Sequence, residues 1–91
     1  MKLAFSEASW RDYLHWQEHD RAILGRVNEL IRDTCRSPFK GIGKPEPLRD
    51  DLKGWWSRRI TGEHRFVYRI TGSGDRQELE ILTCRFHYRR G

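Results

Sequence analysis

Cysteine is scarce in this chain: Cys35 and Cys84 are the only two, too few for a disulfide scaffold, and no short-spaced set of cysteine and histidine suggests a zinc site. Two partly buried thiols in a reducing cytoplasm are the expectation. Long apolar runs are missing too. None approaches the roughly 20 residues of a membrane helix, and the opening Met1-Lys2-Leu3-Ala4-Phe5-Ser6-Glu7 turns polar too soon for a signal peptide. A cytoplasmic location without membrane contact follows. There is no acidic cluster to hold a hard cation, no internal repeat and no low-complexity tract, so no metal and no cofactor are expected. The three prolines all fall between residues 36 and 47, where Arg36-Ser-Pro-Phe-Lys-Gly-Ile-Gly-Lys-Pro-Glu-Pro47 has the composition of a loop with little room for regular structure.

What is present is charge and aromatic surface. The chain has 91 residues, enough for one hydrophobic core, and a single domain over 1–91 is expected. Charged residues make up 34%, but four Trp, four Phe and three Tyr supply apolar area from few positions. The net charge of +5 points to an anionic partner: nucleic acid, an acidic protein or a membrane surface. Residues 1–33 hold five Lys/Arg and six Asp/Glu, so the whole cationic excess lies further on, and the anion should bind there. A membrane-surface role fits poorly, because these cations lie on predicted strands and not on an amphipathic basic helix.

Lys2 to Phe5 reads as a short strand. Ser6 is placed to cap a helix with Glu7 in its first turn and Trp10, Tyr13 and Leu14 at helical spacing. Asp20 caps a second helix, along which Ile23, Val27, Leu30, Ile31 and Thr34 form an apolar stripe until Ser37-Pro38 stops it. Trp55 to Ile60 and Arg65 to Thr71 have strand character across a turn at Thr61-Gly62-Glu63-His64, and a last strand runs from about Glu78 to Tyr88. The fold class is therefore α+β: two N-terminal helices packed on one face of a small, mainly antiparallel sheet.

Alternate strand residues face opposite sides of a sheet. Even positions carry Ile60, Phe66, Tyr68, Ile70, Leu82, Cys84 and Phe86, a core face for the helices. Odd positions carry Ser57, Arg59, Arg65, Val67, Arg69, Thr83, Arg85 and His87, so in the absence of a bulge four arginines and a histidine share the far face. Solvent-facing strand positions are often charged for solubility alone. Like charges on neighbouring strands repel, however, unless an anion sits among them.

Of four histidines, His15 and His19 read as ordinary helix-surface residues and His64, in a turn, as structural. His87 lies at a strand end beside Arg85 and suits a general acid, being the side-chain type that changes protonation near neutral pH. Glu46, in Lys44-Pro45-Glu46-Pro47, is held in direction by two prolines, although a lone loop glutamate is usually solvated surface. Glu63 is a second carboxylate, as well placed to pair with Arg59 or Arg65 and orient them. RNA cleavage needs a base for the 2′-hydroxyl proton, cations for the phosphorane and an acid for the leaving oxygen. Glu46, Arg65 with Arg59, and His87 meet those needs. The competing reading is a non-catalytic basic module that binds nucleic acid or an acidic protein. Such a module gains nothing from Glu46, since a carboxylate weakens phosphate binding.

Several blocks occur together and in order: Phe5-Ser6-Glu7, Trp10, Tyr13-Leu14-His15-Trp16-Gln17, Gly43-Lys44-Pro45-Glu46-Pro47-Leu48, Trp56-Ser57-Arg58-Arg59-Ile60, Glu63-His64-Arg65, Val67-Tyr68 and Cys84-Arg85-Phe86-His87-Tyr88. With them the chain resembles, nearly end to end, the YoeB branch of the RelE-like toxins of bacterial toxin–antitoxin pairs. The resemblance implies a microbial ribonuclease fold, cleavage of messenger RNA in the ribosomal A site, a homodimer, and inhibition by a YefM-like (Phd-like) antitoxin. It further implies Glu46 as general base, Arg65 as transition-state stabiliser and His87 as general acid, with Arg59, Glu63 and Tyr88 in support. Lys44, Arg49 and Arg85 are added as substrate-binding candidates. Arg49 stands where a lysine is typical, the turn at 72–77 is longer than usual, and Arg89-Arg90-Gly91 extends past the usual terminal tyrosine.

Overall fold

Ser6 starts the first helix as its residue type predicts. In the computed structural model, which describes residues 1–87, its hydroxyl accepts the Ser9 N–H at 3.0 Å while the Ser9 hydroxyl accepts the Ser6 N–H at 2.8 Å. This reciprocal cap contributes roughly 1 kcal/mol. The chain runs β1 (Lys2–Phe5), α1 (Glu7–His19), α2 (Arg21–Arg36), β2 (Glu46–Pro47), β3 (Trp56–Arg59), β4 (Arg65–Thr71) and β5 (Glu78–Thr83), with 3-10 turns at Asp50–Leu52 and Gly74–Arg76. Asp20 serves both helices at their tight junction. Its N–H donates to the Trp16 carbonyl, closing α1, and its carboxylate accepts from Ala22 and Ile23, opening α2. No helix among the described residues is long and apolar enough to cross a membrane.

The sheet has the order β1-β5-β4-β3-β2, with β1 parallel to β5 and the other pairs antiparallel. The α+β architecture is as expected. Between its helices and the sheet lies a core of Trp16, Val27, Leu30, Ile60, Phe66, Tyr68, Leu79, Ile81 and Cys84. Val27, Leu30 and Thr34 of the expected α2 stripe are buried. On α1 the buried aromatic is Trp16, whereas Trp10 is 48% exposed and stacks on Tyr13.

Three sequence expectations are corrected. The stretch from Arg36 to Pro47 is not wholly irregular: Arg36 ends α2, and Glu46–Pro47 pairs with Trp56–Ser57 as a short edge strand. The last strand ends at Thr83 and not near 88, the chain bending at 84–86 with Phe86 at φ +65°. The even-numbered core face fails on β5, because an irregularity between Val67 and Tyr68 puts Tyr68 opposite Ile81 but Val67 opposite Thr83. One residue of β5 is therefore extra at that point, and parity inverts across it. Leu79 and Ile81 enter the core in place of Leu82, Cys84 returns to it beyond the bulge, and Phe86 is 55% exposed.

A buried cation organises the loop before β2. Arg58, on the core-facing side of β3, is 0% exposed. Its guanidinium donates to Asp33 at 2.7 Å, to the Tyr68 hydroxyl at 3.2 Å and to the carbonyls of Ser37, Lys40 and Ile42 at 2.6, 3.0 and 3.1 Å. A loop rich in glycine and proline leaves carbonyls without ladder partners, and here one side chain satisfies three of them.

Candidate active site

Residues directly opposite in antiparallel strands project to the same face, so register alone locates the candidate residues. Glu46 of β2 pairs with Ser57 of β3, Ser57 with Val67 of β4, and Val67 with Thr83 of β5, one row across four strands. Because Phe66 and Tyr68 face the helices, this row faces away from them. Arg59 pairs with Arg65 one step along the same face. Glu46 and Arg65 thus lie on one side of the sheet, two strand spacings or roughly 10 Å apart across it and two residues or roughly 7 Å apart along it. Ser57 and Val67 between them are 2% and 1% exposed, so small buried side chains floor a surface rimmed by longer charged ones.

Arg65 is fixed in place. Its Nη1 donates to the carbonyls of Thr61, Gly62 and His64 at 2.9, 3.2 and 3.1 Å, which ties the guanidinium to the turn between β3 and β4. Arg59 is exposed, and its N–H donates to the Gly43 carbonyl at 2.7 Å, joining β3 to the loop that leads to Glu46. Gly43 has φ +80°, and a Cβ there would lie 2.8 Å from a Leu30 methyl, so only glycine fits this crossing. Lys44, exposed and itself at φ +52°, turns the chain into Pro45 and Glu46. Arg49 is exposed at the start of the 3-10 turn that leads to β3.

His87 is delivered by a segment outside the regular sheet. The Cys84 N–H donates to the Asp12 carboxylate at 3.1 Å and the Trp16 indole N–H to the Cys84 carbonyl at 2.8 Å, so α1 grips residue 84 on both sides. Burial raises the Asp12 carboxyl above its ordinary value, while that N–H and Arg85 oppose the rise. Two residues on, the Arg65 N–H donates to the Phe86 carbonyl at 3.0 Å, and the Phe86 N–H donates to His64 Nδ1 at 2.8 Å. His87, exposed, is next in the chain and so lies at the Arg65 end of β4.

The row of four free arginines is not what forms. Arg69 makes a two-pronged bond with Glu80 at 2.9 and 3.3 Å and lies over the Trp55 ring, because the bulge brings Glu80 opposite it. Arg85 lies over the Phe86 ring at 4.4 Å and the Trp16 ring at 5.9 Å, against α1 and away from the Glu46 row. Glu63 is exposed with its carboxylate 3.8 Å from His64 Nε2, not within 4.0 Å of Arg59 or Arg65. Tyr88 and the Arg89-Arg90-Gly91 tail lie outside the described residues. Among the described residues no cluster of three or more metal-binding side chains forms.

Sequence reasoning read His64 as merely structural and did not single out Arg58. Both sit at even, core-facing positions, and a polar side chain at core parity beside a loop was the available signal.

The chain as a whole is similar to known proteins. A family model described as the YoeB-like toxin of bacterial type II toxin–antitoxin systems matches residues 5–88. The toxin YoeB of Escherichia coli K12 is 58% identical over 88 residues, 97% of this chain and 100% of that protein. Among solved structures, the YoeB/ParE toxin from Agrobacterium tumefaciens superposes with a TM-score of 0.93 at 57% identity, covering 97% of this chain and 100% of that one. The heterotetrameric YoeB–YefM toxin–antitoxin complex from Staphylococcus aureus contains a chain with a TM-score of 0.84 at 37% identity, covering 97% and 98%. The chain belongs to the YoeB-like toxins of bacterial type II toxin–antitoxin systems.

Proposed function

We propose that this toxin is an endoribonuclease that cuts messenger RNA in the ribosomal A site, with Glu46, Arg65 and His87 doing the chemistry and without a metal or cofactor. The observation that carries the reading is the register. It sets Glu46, Ser57, Arg59 and Arg65 on one face, with the chain end bearing His87 bonded through Phe86 to Arg65.

In the proposed reaction the Glu46 carboxylate takes the proton from a ribose 2′-hydroxyl. The 2′-oxygen attacks the adjacent phosphorus as the bond from phosphorus to the 5′-oxygen breaks, and protonated His87 gives its proton to that leaving oxygen. The products are a 2′,3′-cyclic phosphate and a free 5′-hydroxyl. The phosphorane carries an extra negative charge, which Arg65 is held in advance to meet, with Arg59 beside it. Lys44, Arg49, Glu63 and Tyr88 are assigned support of the site or of the RNA backbone, and Arg85, held against α1, is left out of the site. DNA lacks the attacking hydroxyl and survives.

The partners proposed are mRNA on the ribosome, a YefM-like antitoxin and a second copy of the chain. The named complexes of the S. aureus relative, a YoeB dimer and a YoeB–YefM heterotetramer, support the last two. The test is His87→Gln on ribosomes stalled with a defined A-site codon. Cleavage should vanish while folding and ribosome binding stay near wild type; equal loss of binding and cleavage would make His87 a structural residue.

A further inference from the structure

The segment that carries His87 is held atom by atom. Beyond Thr83 its backbone depends on the Asp12 and Trp16 grip on Cys84 and on two bonds to Phe86, one from the Arg65 N–H and one to the His64 ring. Phe86 sits at φ +65°, a left-handed conformation that costs a residue with a β-carbon roughly 1–2 kcal/mol. Its ring is 55% exposed, so burial does not repay that cost. The two hydrogen bonds oppose it, together with the Arg85 guanidinium 4.4 Å over the ring, and the imidazole supplies the bond at the amide.

The His64 ring is itself rigid. It packs edge-to-face on Trp16 with centroids 4.8 Å apart, the side chain is 12% exposed, and the backbone N–H of the residue donates to the Thr61 hydroxyl at 3.0 Å. To accept from Phe86, Nδ1 must be unprotonated, which places the ring proton on Nε2, the nitrogen 3.8 Å from Glu63 Oε1.

We infer that His64 is a positioning residue of the ribonuclease site, acting through the Phe86 amide to aim His87 at the leaving oxygen. The inference rests on His87 being the general acid. Turning residue 86 away from its left-handed conformation redirects His87, and a displacement near 1 Å at a reacting group costs about 10²-fold in rate.

The substitutions that test this differ in where they put an acceptor. The Asn side-chain amide occupies the place of Nδ1, that of Gln the place of Nε2, and Ala has neither. Single-turnover cleavage of ribosome-bound mRNA is expected to fall about 10²-fold in His64→Ala and His64→Gln and to return to within several-fold of wild type in His64→Asn, with ribosome affinity unchanged. In the free protein, amide exchange at Phe86 should be at least about tenfold faster in His64→Ala and His64→Gln than in wild type or His64→Asn. Folded Ala and Gln variants that cleave like wild type overturn the inference, as does an Asn variant as slow as they are. Should His64→Ala not fold, the Gln and Asn pair decides. Wild-type protein that leaves mRNA intact on the ribosome refutes the ribonuclease reading instead, and the Phe86 exchange rates then still decide whether His64 pins the segment.

Discussion

Arg58 holds three carbonyls of the loop leading to Glu46, and replacing it with Met roughly keeps its volume while removing its five bonds. Three backbone carbonyls lose their donor. Asp33 loses one partner but keeps the Ile42 N–H at 3.0 Å and Arg36 at 2.6 Å. Breaking a buried ion pair from one side costs about 3–5 kcal/mol, and the donors left on Asp33 favour the lower end, roughly 3 kcal/mol. Against a total stability of about 5–15 kcal/mol, with urea slopes of about 1–3 kcal/mol per molar, the unfolding midpoint should drop by roughly 1–3 M. The hydrogen bond from Arg58, followed by those from Ile42 and Arg36, holds the Asp33 carboxyl at about 2 against an ordinary 3.8. A carboxyl lowered in the folded state stabilises the protein above its unfolded value and loses that contribution as pH falls through the folded one. The wild type should therefore lose stability between pH 3.8 and about 2, and Arg58→Met less steeply. Urea titrations at pH 7 and at steps down to pH 2 measure both effects. A midpoint change worth less than about 1 kcal/mol, or an unchanged acid slope, would refute the reasoning.

Arg65→Ala should lower the single-turnover rate by roughly 10²–10³-fold while changing ribosome affinity little, because the phosphorane exists only in the transition state; a loss confined to affinity would remove the stabiliser role. Gly43→Ala forces a methyl to within 2.8 Å of Leu30 and 3.1 Å of the Arg58 Cβ at φ +80°, and should cost about 2–4 kcal/mol in thermal or urea unfolding. Burial pushes the Cys84 thiol up to about 12, so iodoacetamide at pH 8 should leave it unmodified in the native protein and label it only after denaturation, as peptide mass mapping would show.

The helices were legible because their signals are local. Ser6 and Asp20 act as caps where they stand, and the α2 stripe gives the buried face. The exact range of β4 was legible as well, from its alternation between turn residues. Parity on β5 was not, since the extra residue opposite Val67 and Tyr68 is a choice of pairing and leaves no mark in the sequence of either strand. That one slip moves Leu79 and Ile81 inward and gives Arg69 a partner in Glu80. Glu46 was singled out for its flanking prolines. Its side of the sheet followed only from a two-residue pairing that propensity cannot see, proline being a poor strand former. The burial of Arg58 has the same origin: an arginine in the core makes sense only once the carbonyls of a distant loop are known to meet it.

The proposed chemistry depends on a nucleophile that belongs to the RNA. Ribosomes carrying an mRNA with one 2′-deoxy nucleotide immediately before the scissile phosphate, compared with the all-ribose message, test this most directly. The account predicts that the ribose message is cut to a 2′,3′-cyclic phosphate and a 5′-hydroxyl while the deoxy message is bound and stays whole. Cutting of the deoxy message at a similar rate, or ends bearing a 5′-phosphate, would contradict it.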